Sequence, residues 1–363
     1  MIRMVKQEAM LLVGIITTMF FKGFGDGVLA TQLSSIVGVL ITIILFCVVM
    51  AAIFAVVRHS DALAIKLGDP YGTLILTLSV ILLEVVMITS VMLTGEANPV
   101  LARDTMFAVI MTVLNGLVGI TLLIGGWKYH TQKYNVEGIK SYLVAIVPLA
   151  VLCLVLPNFT SMTEFGAMSA PLAITLVLVA VVLYSLFLFI QTRSHTHYFV
   201  DDGHEDVHDY HGPIHSNLYH SMMLVAYLVV VILLAKSLAI PIDSTVDVLG
   251  APPALGGLIV AVLILAPEGV GATKAALNNQ LQRAMNLFFG SVLATIALTV
   301  PAVLLISGVV QQPIILGLEP AEMILLVCTL LMTGVSFSSG KTDSLTGAAH
   351  LVLFVAYIVL MFD

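Results

Sequence analysis

Residues Leu263 to Pro301 read LILAPEGVGATKAALNNQLQRAMNLFFGSVLATIALTVP, and they hold an unusual group of polar residues in an apolar chain. Glu268 follows an apolar run and a proline, and a cluster of amides with Arg283 separates it from a second apolar run. A charged side chain at the centre of a membrane helix costs about 2.5 to 3.5 kcal/mol on insertion scales. Glu268 is therefore a candidate functional residue.

The composition of the whole chain supports a membrane setting for this stretch. Of the 363 residues, 60% are hydrophobic and only 10% are charged, and the mean hydropathy is +1.12. Soluble domains have about 25% charged residues. The composition predicts a protein that crosses the membrane many times. The three cysteines show no C-x-x-C spacing, so they indicate neither a disulfide framework nor a thiolate metal site.

Eleven segments approach the roughly 20 apolar residues that a transmembrane helix needs. They begin near Glu8, Leu33, Tyr71, Thr105, Ser141, Ala167, Leu218, Ala251, Met285, Ala321 and Thr346. If the N-terminus is cytoplasmic, the cytoplasmic segments hold eleven of the 14 Lys and Arg residues, and only Lys22, Arg103 and Lys236 lie outside. We therefore predict an all-α membrane protein with about 11 transmembrane helices and an external C-terminus.

The chain also contains an internal repeat. Residues Leu82 to Gly116, LLEVVMITSVMLTGEANPVLARDTMFAVIMTVLNG, share with the first stretch a deep glutamate, a polar turn, an arginine and a second apolar helix. Glu84 lies in the third predicted span and Glu268 in the eighth. Because the offset of five is odd, counterpart helices cross the membrane in opposite directions, as in many secondary transporters. The alternative is that two apolar helices resemble each other by composition alone.

These observations divide the chain into four parts. Residues 1–32 form an N-terminal helix, and residues 33–192 form the first five-helix repeat. Residues 193–217 form a cytoplasmic linker, and residues 218–363 form the second five-helix repeat, which has inverted topology.

The paired glutamates suggest a cation and proton chemistry. Burial and mutual repulsion favour the protonated forms of two facing carboxyl groups. A hard cation such as Ca²⁺ reverses that preference, because it takes six to eight oxygen ligands. The same oxygens can then bind either protons or a cation, which is the minimal requirement of a cation/proton antiporter.

Further oxygen ligands follow both glutamates along the chain. Glu268 is followed by Thr273, Asn278, Asn279, Gln282, Asn286 and Ser291. Glu84 is followed by Thr89, Ser90, Asp104, Thr112 and Asn115. No Cys or His accompanies them, which favours Ca²⁺, Na⁺ or K⁺ over Zn²⁺ or Cu⁺. Pro267 leaves a helical carbonyl without its usual donor. A bound cation could take that carbonyl, or Pro267 could simply kink the helix.

A segment rich in histidine and acidic residues joins the repeats. Arg193 to His220 hold seven of the ten histidines and five acidic residues. One interpretation is a regulatory sensor of cations or pH, because histidine titrates near neutrality and carboxylates attract Ca²⁺. The other is a solvated, flexible linker. The candidate regulatory residues are Asp201, Asp202, His204, Glu205, Asp206 and His208.

Three stretches carry a family resemblance: VVRHSDALAIKLGDPYGTLILTLSVILLEV (Val56 to Val85), LAPEGVGATKAALNNQLQRAMNLFFGSVLATIALTVP (Leu265 to Pro301) and SFSSGKTDSLTGAAHL (Ser336 to Leu351). They resemble the bacterial calcium/proton antiporters of the ChaA type, in the calcium/cation antiporter superfamily. That resemblance implies an extra N-terminal helix followed by two inverted five-helix repeats, with the paired glutamates as central ligands of cations and protons.

The resemblance also implies supporting roles for Asn279, Gln282, Gly290 and Ser291. The first repeat departs from the superfamily pattern, since Leu82 and Leu83 replace the usual Gly-Asn and the turn is longer by GEAN. The residues of the first repeat that correspond to the supporting ligands are Asp104 and Asn115.

We therefore expect an antiporter of the bacterial inner membrane that exports Ca²⁺, and Na⁺ or K⁺, in exchange for protons by alternating access. The alternative is a cation channel or uncoupled leak pathway, in which carboxylates line a pore. The sequence lacks a G-x-S-x-G motif, and its one H-E-x-x-H match, His204 to His208, lies in the linker and not on a predicted helix, which disfavours an enzyme. The expected partners are the lipid bilayer, inorganic cations and protons, with no cofactor and no nucleic acid. The oligomeric state stays open.

Overall fold

The structure is a computed structural model. It describes residues 8–32, 36–67, 71–94, 99–160, 166–200, 215–250, 252, 254–310 and 314–362. The described part of the chain is almost entirely helical, as predicted, and contains eleven helices that follow the eleven predicted spans in order. Eight of these are long and apolar enough to cross a membrane, and three shorter apolar helices complete the set.

The first six helices are α1 (Ala9–Gln32), α2 (Ile36–Leu67), α3 (Tyr71–Thr94), α4 (Leu101–Met111 and Val118–Tyr129, joined by the π-helical turn Thr112–Leu117), α5 (Val136–Leu154) and α6 (Ala170–Phe189). The next five are α7 (Asn217–Leu249), α8 (Ala254–Leu277), α9 (Leu281–Ala294 and Val300–Val310, joined by the π-helical turn Thr295–Thr299), α10 (Pro320–Ser336) and α11 (Ser344–Met361). Two short strands, β1 (Gln132–Lys133) and β2 (Lys341–Thr342), pair antiparallel.

Most helices begin within three residues of the predicted starts, but α4, α5 and α9 begin four or five residues earlier. Their first turns contain polar residues, which hydropathy alone places outside a span. In the structure Arg103 and Asp104 are buried by other parts of the protein. Helix formation therefore continues through these positions, because protein groups replace water around the polar side chains.

The chain folds as two compact units, and each takes helices from both repeats. The first unit comprises Met1–Asn98 and His208–Pro267, and the second comprises Pro99–Val207 and Glu268–Asp363. The first unit contains α1, α2, α3, α7 and the beginning of α8. Its core includes the fully buried Leu45, Ile53 and Tyr227, together with Leu83 of α3 and Leu263 of α8.

Helix packing in the second unit has the symmetry of an inverted repeat. If the repeats are exchanged, α4, α5 and α6 correspond to α9, α10 and α11. The packing of α11 on α4 is matched by that of α6 on α9, and the packing of α5 on α9 is matched by that of α10 on α4. These four contacts between the repeats thus form two equivalent pairs.

The connections confirm that counterpart helices in the second unit run in opposite directions. At one end, β1 follows α4 and pairs with β2, which precedes α11. At the other end, the Ile315 amide, which follows α9, donates to the Pro99 carbonyl before α4. The Lys128 ammonium, at the end of α4, also donates to the Leu277 carbonyl just before α9. Helix α4 therefore ends where α9 begins, and it begins where α9 ends.

Two glycines allow α4 and α11 to pack very closely. A Cβ atom at Gly347 would lie 2.5 Å from the Leu123 backbone nitrogen and 2.7 Å from the Gly119 carbonyl oxygen. A Cβ at Gly119 would lie 2.8 Å from the Leu351 side chain. Small residues permit this approach in membrane helices, where van der Waals packing and interhelical hydrogen bonds drive association.

A buried polar cluster joins α1, α2 and α7 in the first unit. The Glu8 carboxylate forms an ion pair with Arg58 at 2.7 Å and accepts hydrogen bonds from the Tyr219 and Tyr227 hydroxyls, both at 2.9 Å. The His59 side chain is also buried, and it lies 3.4 Å from Glu8. The sequence offered one signal for this cluster, since Glu8 and Arg58 have opposite charges and lie at predicted helix ends on the same side of the membrane.

A backbone amide fixes the direction of one hydrogen bond between two histidines of this cluster. The His215 amide donates to Nε2 of His220 at 3.0 Å. A neutral His220 therefore carries its proton on Nδ1 and donates it to Nδ1 of His59, 3.0 Å away. Nε2 of His59 lies 3.2 Å from the Arg58 guanidinium and 3.4 Å from the Glu8 carboxylate.

We expect Glu8→Gln to lower stability by about 2 kcal/mol, typical of a charge-assisted hydrogen bond. Burial alone raises the pKa of Glu8, but hydrogen bonds from His59 and Tyr219, the Arg58 charge and the Tyr227 hydrogen bond lower it to about 2. Because this pKa is depressed below 4.5, the stabilisation is complete above pH 4.5 and declines as the pH falls towards 2. Thermal unfolding in detergent at pH 7 and pH 4 measures this difference.

The matched control is Glu137→Gln, which removes an exposed carboxylate 3.6 Å from Lys140. This control is expected to leave the melting temperature within about 1 °C of wild type, since exposed ion pairs contribute little. Equal melting temperatures for wild type and Glu8→Gln at pH 7 would contradict the assigned role of Glu8.

Labelling with a membrane-impermeant maleimide tests whether successive loops lie on opposite sides of the membrane. In a background with Cys47, Cys153 and Cys328 replaced, we expect single cysteines at Phe159 and Ser339 to react from opposite sides of the membrane. Both positions are exposed, and they lie at opposite ends of the second unit. Reaction of both from the same side of intact vesicles would show that the alternation is wrong.

Candidate functional site

Glu84 lies in the middle of α3, in the first unit. Its side chain is 2% exposed, and its neighbours along the helix, Leu83, Met87 and Ile88, are buried as well. The sequence predicts a carboxylate deep in the third span, and the structure confirms that Glu84 is buried inside an apolar helix.

Glu268 lies in α8 and is the first residue of the second unit, directly after Pro267. The Glu268 residue is half-buried and Pro267 is buried. Because Pro267 has no backbone N–H, the Leu263 carbonyl one turn earlier lacks its helical donor. Helix α8 nevertheless continues to Leu277. A carboxylate and a backbone carbonyl freed by proline are thus close together along α8.

The π-helical turn of α4 packs against α8 beside Glu268. A Cβ at Gly269 would lie 3.1 Å from the Leu117 side chain, so the missing side chain allows the two helices to meet. Asn115, two residues before Leu117, is completely buried in this turn. The structure therefore places Asn115 on a segment that contacts the Glu268 region.

A hydrogen-bonded group surrounds Asn115. Its Nδ2 donates to Oγ1 of Thr329 at 2.8 Å, and its Oδ1 lies 3.2 Å from Nδ1 of His350. Nε2 of His350 lies 3.0 Å from the Ser336 hydroxyl. Ser336 also lines a cavity of about 270 Å³ at the β1–β2 end of the unit, with Thr131 and Asp343 among the other lining residues.

The two π-helical turns occupy overlapping positions in the two repeats. Aligning Arg103 with Arg283 places Asn115 opposite Thr295, and each lies in its own π-helical turn. Turns of this type often occur at functional sites. Thr295 is not among the residues predicted from the sequence, although the same arginine alignment identifies it.

Ser291 and Gly290 lie at the depth of Glu268. Helices α8 and α9 form a hairpin whose turn is at Asn279, so residues equally far from the turn come level. The contact between Gly271 and Leu287, each eight residues from Asn279, shows this correspondence. Ser291 is twelve residues after the turn and Glu268 eleven before it. Gly290 faces Tyr142 of α5, and a Cβ at Gly290 would lie 3.8 Å from the Tyr142 ring, an ordinary contact distance.

Asn279 and Gln282 lie elsewhere in the second unit, at the end of the α8–α9 hairpin. Leu277 is nine residues from Glu268, or about 13 Å along the helix. Asn279 is exposed, and its side chain accepts a hydrogen bond from Gln132 at 3.2 Å. Gln282 accepts from the Asn135 amide at 2.7 Å. The structure does not bring these two amides to Glu268.

Asp104 lies at the opposite end of the unit. Its carboxylate is 2.8 Å from the Arg103 guanidinium, which also donates to the Gly317 carbonyl. Eleven residues, or about 16 Å of helix, separate Asp104 from Asn115. Asp104 and Asn115 are therefore far apart along α4, and the predicted ligand role of Asp104 stays a prediction. The Thr273 hydroxyl donates to the Gly269 carbonyl at 2.7 Å, within α8 itself.

The metal-binding potential of the remaining described residues is limited. Within the ranges that the structure describes, no group of three His, Cys, Asp or Glu side chains could hold a metal ion. The candidate regulatory residues Asp201, Asp202, His204, Glu205, Asp206 and His208 lie outside the described residues. A cation at Glu268 would therefore depend on neutral oxygens besides carboxylates in this unit.

Comparison with known proteins shows which family this chain resembles. The sodium/calcium exchanger protein family matches residues 35–193 and 219–362, which is most of the chain. The sodium-potassium/proton antiporter ChaA of Escherichia coli (strain K12) is 47% identical over 86% of each chain. The Ca²⁺/H⁺ antiporter ChaA of Bacillus subtilis (strain 168) is 24% identical over 87% of this chain and 89% of its own.

Solved structures share the fold. Native YfkE has a TM-score of 0.74 with 17% identity and covers 98% of each chain. The crystal structure of the H⁺/Ca²⁺ exchanger CAX has a TM-score of 0.66 with 12% identity, covering 98% of this chain and 88% of its own. The chain therefore belongs to the sodium/calcium exchanger protein family, among its multi-pass cation/proton antiporters.

Proposed function

We propose that the chain exports Ca²⁺, and Na⁺ or K⁺, in exchange for protons by alternating access. The observation that carries this proposal is the pair of intramembrane glutamates at equivalent positions of the two repeats. Ionisable residues in such helices are expensive and mark ion pathways. The relatives widen the choice of ions, because the 47% identical one is named as a sodium-potassium/proton antiporter and the 24% identical one as a Ca²⁺/H⁺ antiporter.

In this mechanism Glu84 and Glu268 bind protons and cations in turn. Each carboxylate accepts a proton in one step and contributes oxygen to a cation in the other, so the two ions exclude each other. Asn115 and Ser291 supply further oxygens near Glu268. We assign Asn279, Gln282 and Asp104 to stabilising the helix ends, and Thr273 to stabilising α8, because of their positions and hydrogen bonds.

Protons drive the cycle in the export direction. We place the chain in the bacterial inner membrane with a cytoplasmic N-terminus, because of its lysine and arginine distribution. Exporting a divalent cation against 100 mV costs about 4.6 kcal/mol, twice the value for one elementary charge. Exchange for two protons cancels this electrical term, whereas exchange for three uses the membrane potential. Protons load from outside and leave to the cytoplasm when a cation replaces them.

We expect Glu84→Gln and Glu268→Gln each to reduce cation-dependent proton movement at least about 100-fold. Glutamine keeps the size of the side chain but can neither bind a proton nor offer a charged ligand. The measurement uses proteoliposomes with an imposed pH gradient and follows its dissipation on addition of Ca²⁺, Na⁺ or K⁺. The Glu137→Gln variant serves as a matched control outside the site and retains wild-type rates.

Two results would reject the antiporter mechanism. One is proton movement that survives in both glutamine variants. The other is cation flux through wild type without any proton movement, which would favour a channel or leak pathway.

Competition also predicts the direction of a pH effect. As the pH falls, protons occupy the carboxyl groups, so the apparent KM for the cation rises while the rate at saturating cation changes less. The expected increase approaches about tenfold per pH unit for each proton displaced, because proton activity changes tenfold. Initial rates in proteoliposomes between pH 6 and 8 measure it, with both sides buffered equally before the gradient is imposed. A KM independent of pH would argue against shared ligands.

A further inference from the structure

His350 lies in the second unit and belongs to none of the predicted ligand sets. It is completely buried in α11, an apolar helix, and its imidazole hydrogen-bonds with Asn115 and Ser336. Gly347, one turn earlier, brings the α11 backbone against α4. This close approach allows a ring on α11 to reach a side chain in the π-helical turn of α4.

The hydrogen-bond network fixes the orientation of the Asn115 amide. The Thr329 hydroxyl donates to the Leu325 carbonyl at 2.8 Å, so its oxygen must accept from the group that faces it. That group is therefore the amide nitrogen of Asn115. The amide oxygen consequently faces His350, 3.2 Å away.

This orientation determines which ring nitrogen carries a proton. Nδ1 of His350 must donate to the Asn115 oxygen, because an amide oxygen only accepts. In the neutral ring Nε2 then accepts from the Ser336 hydroxyl at 3.0 Å. Both side-chain partners thus support the same tautomer.

One lone pair of the Asn115 oxygen is used by His350, and a second stays available to a cation. Without the His350 donor only Thr329 would hold the amide, and a turn of that hydroxyl would let the amide rotate and present its N–H₂ group, which repels cations. We propose that His350 is a positioning residue that orients the Asn115 carbonyl oxygen for binding of the transported cation. This inference rests on the proposed function, and it extends that function from the glutamates to the residue that prepares a neutral ligand.

Substitutions at His350 distinguish the role of its hydrogen-bond donor from the role of the ring itself. His350→Leu removes the donor, and we expect the apparent KM for the transported cation to rise about tenfold while the maximal rate changes less than about twofold. His350→Asn places an amide N–H₂ near the former Nδ1, so it is expected to restore the KM to within about threefold of wild type. His350→Gln extends its amide towards Ser336 instead and is expected to behave like His350→Leu.

The readout is the cation dependence of proton movement in proteoliposomes, normalised to the folded protein recovered after size-exclusion chromatography. Thr333→Val is the matched control. It removes a buried hydroxyl that bonds only within α10, to the Thr329 carbonyl, and it is expected to leave the KM unchanged.

The comparison of His350→Asn with His350→Gln does not depend on the leucine variant folding. Equal KM values for these two amide variants would overturn the proposal, as would a lower maximal rate with an unchanged KM in both. Wild-type protein without any cation-dependent proton movement would reject the proposed function itself. An active wild type with an unaffected KM in every His350 variant would reject only the role of His350.

Discussion

A bilayer provides no water for the polar groups of a helix, so every such group in this protein must find its partners within the protein. This constraint explains why the polar residues are concentrated where repeats pack together. In the second unit, α11 packs on α4 and α6 packs on α9, which encloses the polar turn of one repeat with a helix from the other. Neither repeat could bury these groups alone.

The π-helical turns place polar side chains inside this enclosed region. A π-helical turn inserts an extra residue into a helix, which changes the directions of side chains and carbonyls locally. Asn115 in the first turn is held by Thr329 of α10 and His350 of α11, so one residue is oriented by two helices of the other repeat. The glycines at 119 and 347 make that contact possible, since any side chain there would separate the helices.

The polar ends of the helices have a different role. Asn279 and Gln282 bond to loop groups at one end of the second unit, and Asp104 bonds to Arg103 at the other. In the first unit, Glu8 ties the N-terminal helix to α2 and α7 through four polar side chains. These contacts fix the helix ends, and they leave the middle of the helices to the few polar residues that could meet an ion.

The sequence by itself determined the helical class, the eleven segments, the inverted repeat and the positions of Glu84 and Glu268 within apolar helices. Hydropathy, basic-residue asymmetry and the spacing of two buried carboxylates are properties of local segments, so they can be read from the chain. Only the tertiary structure decided which polar residues meet. It separated Asn279, Gln282 and Asp104 from the middle of the helices and joined Asn115 to His350, 235 positions apart. The reason is physical: hydrogen-bond partners between distant helices depend on packing distances of a few ångströms, which glycines and π-helical turns set.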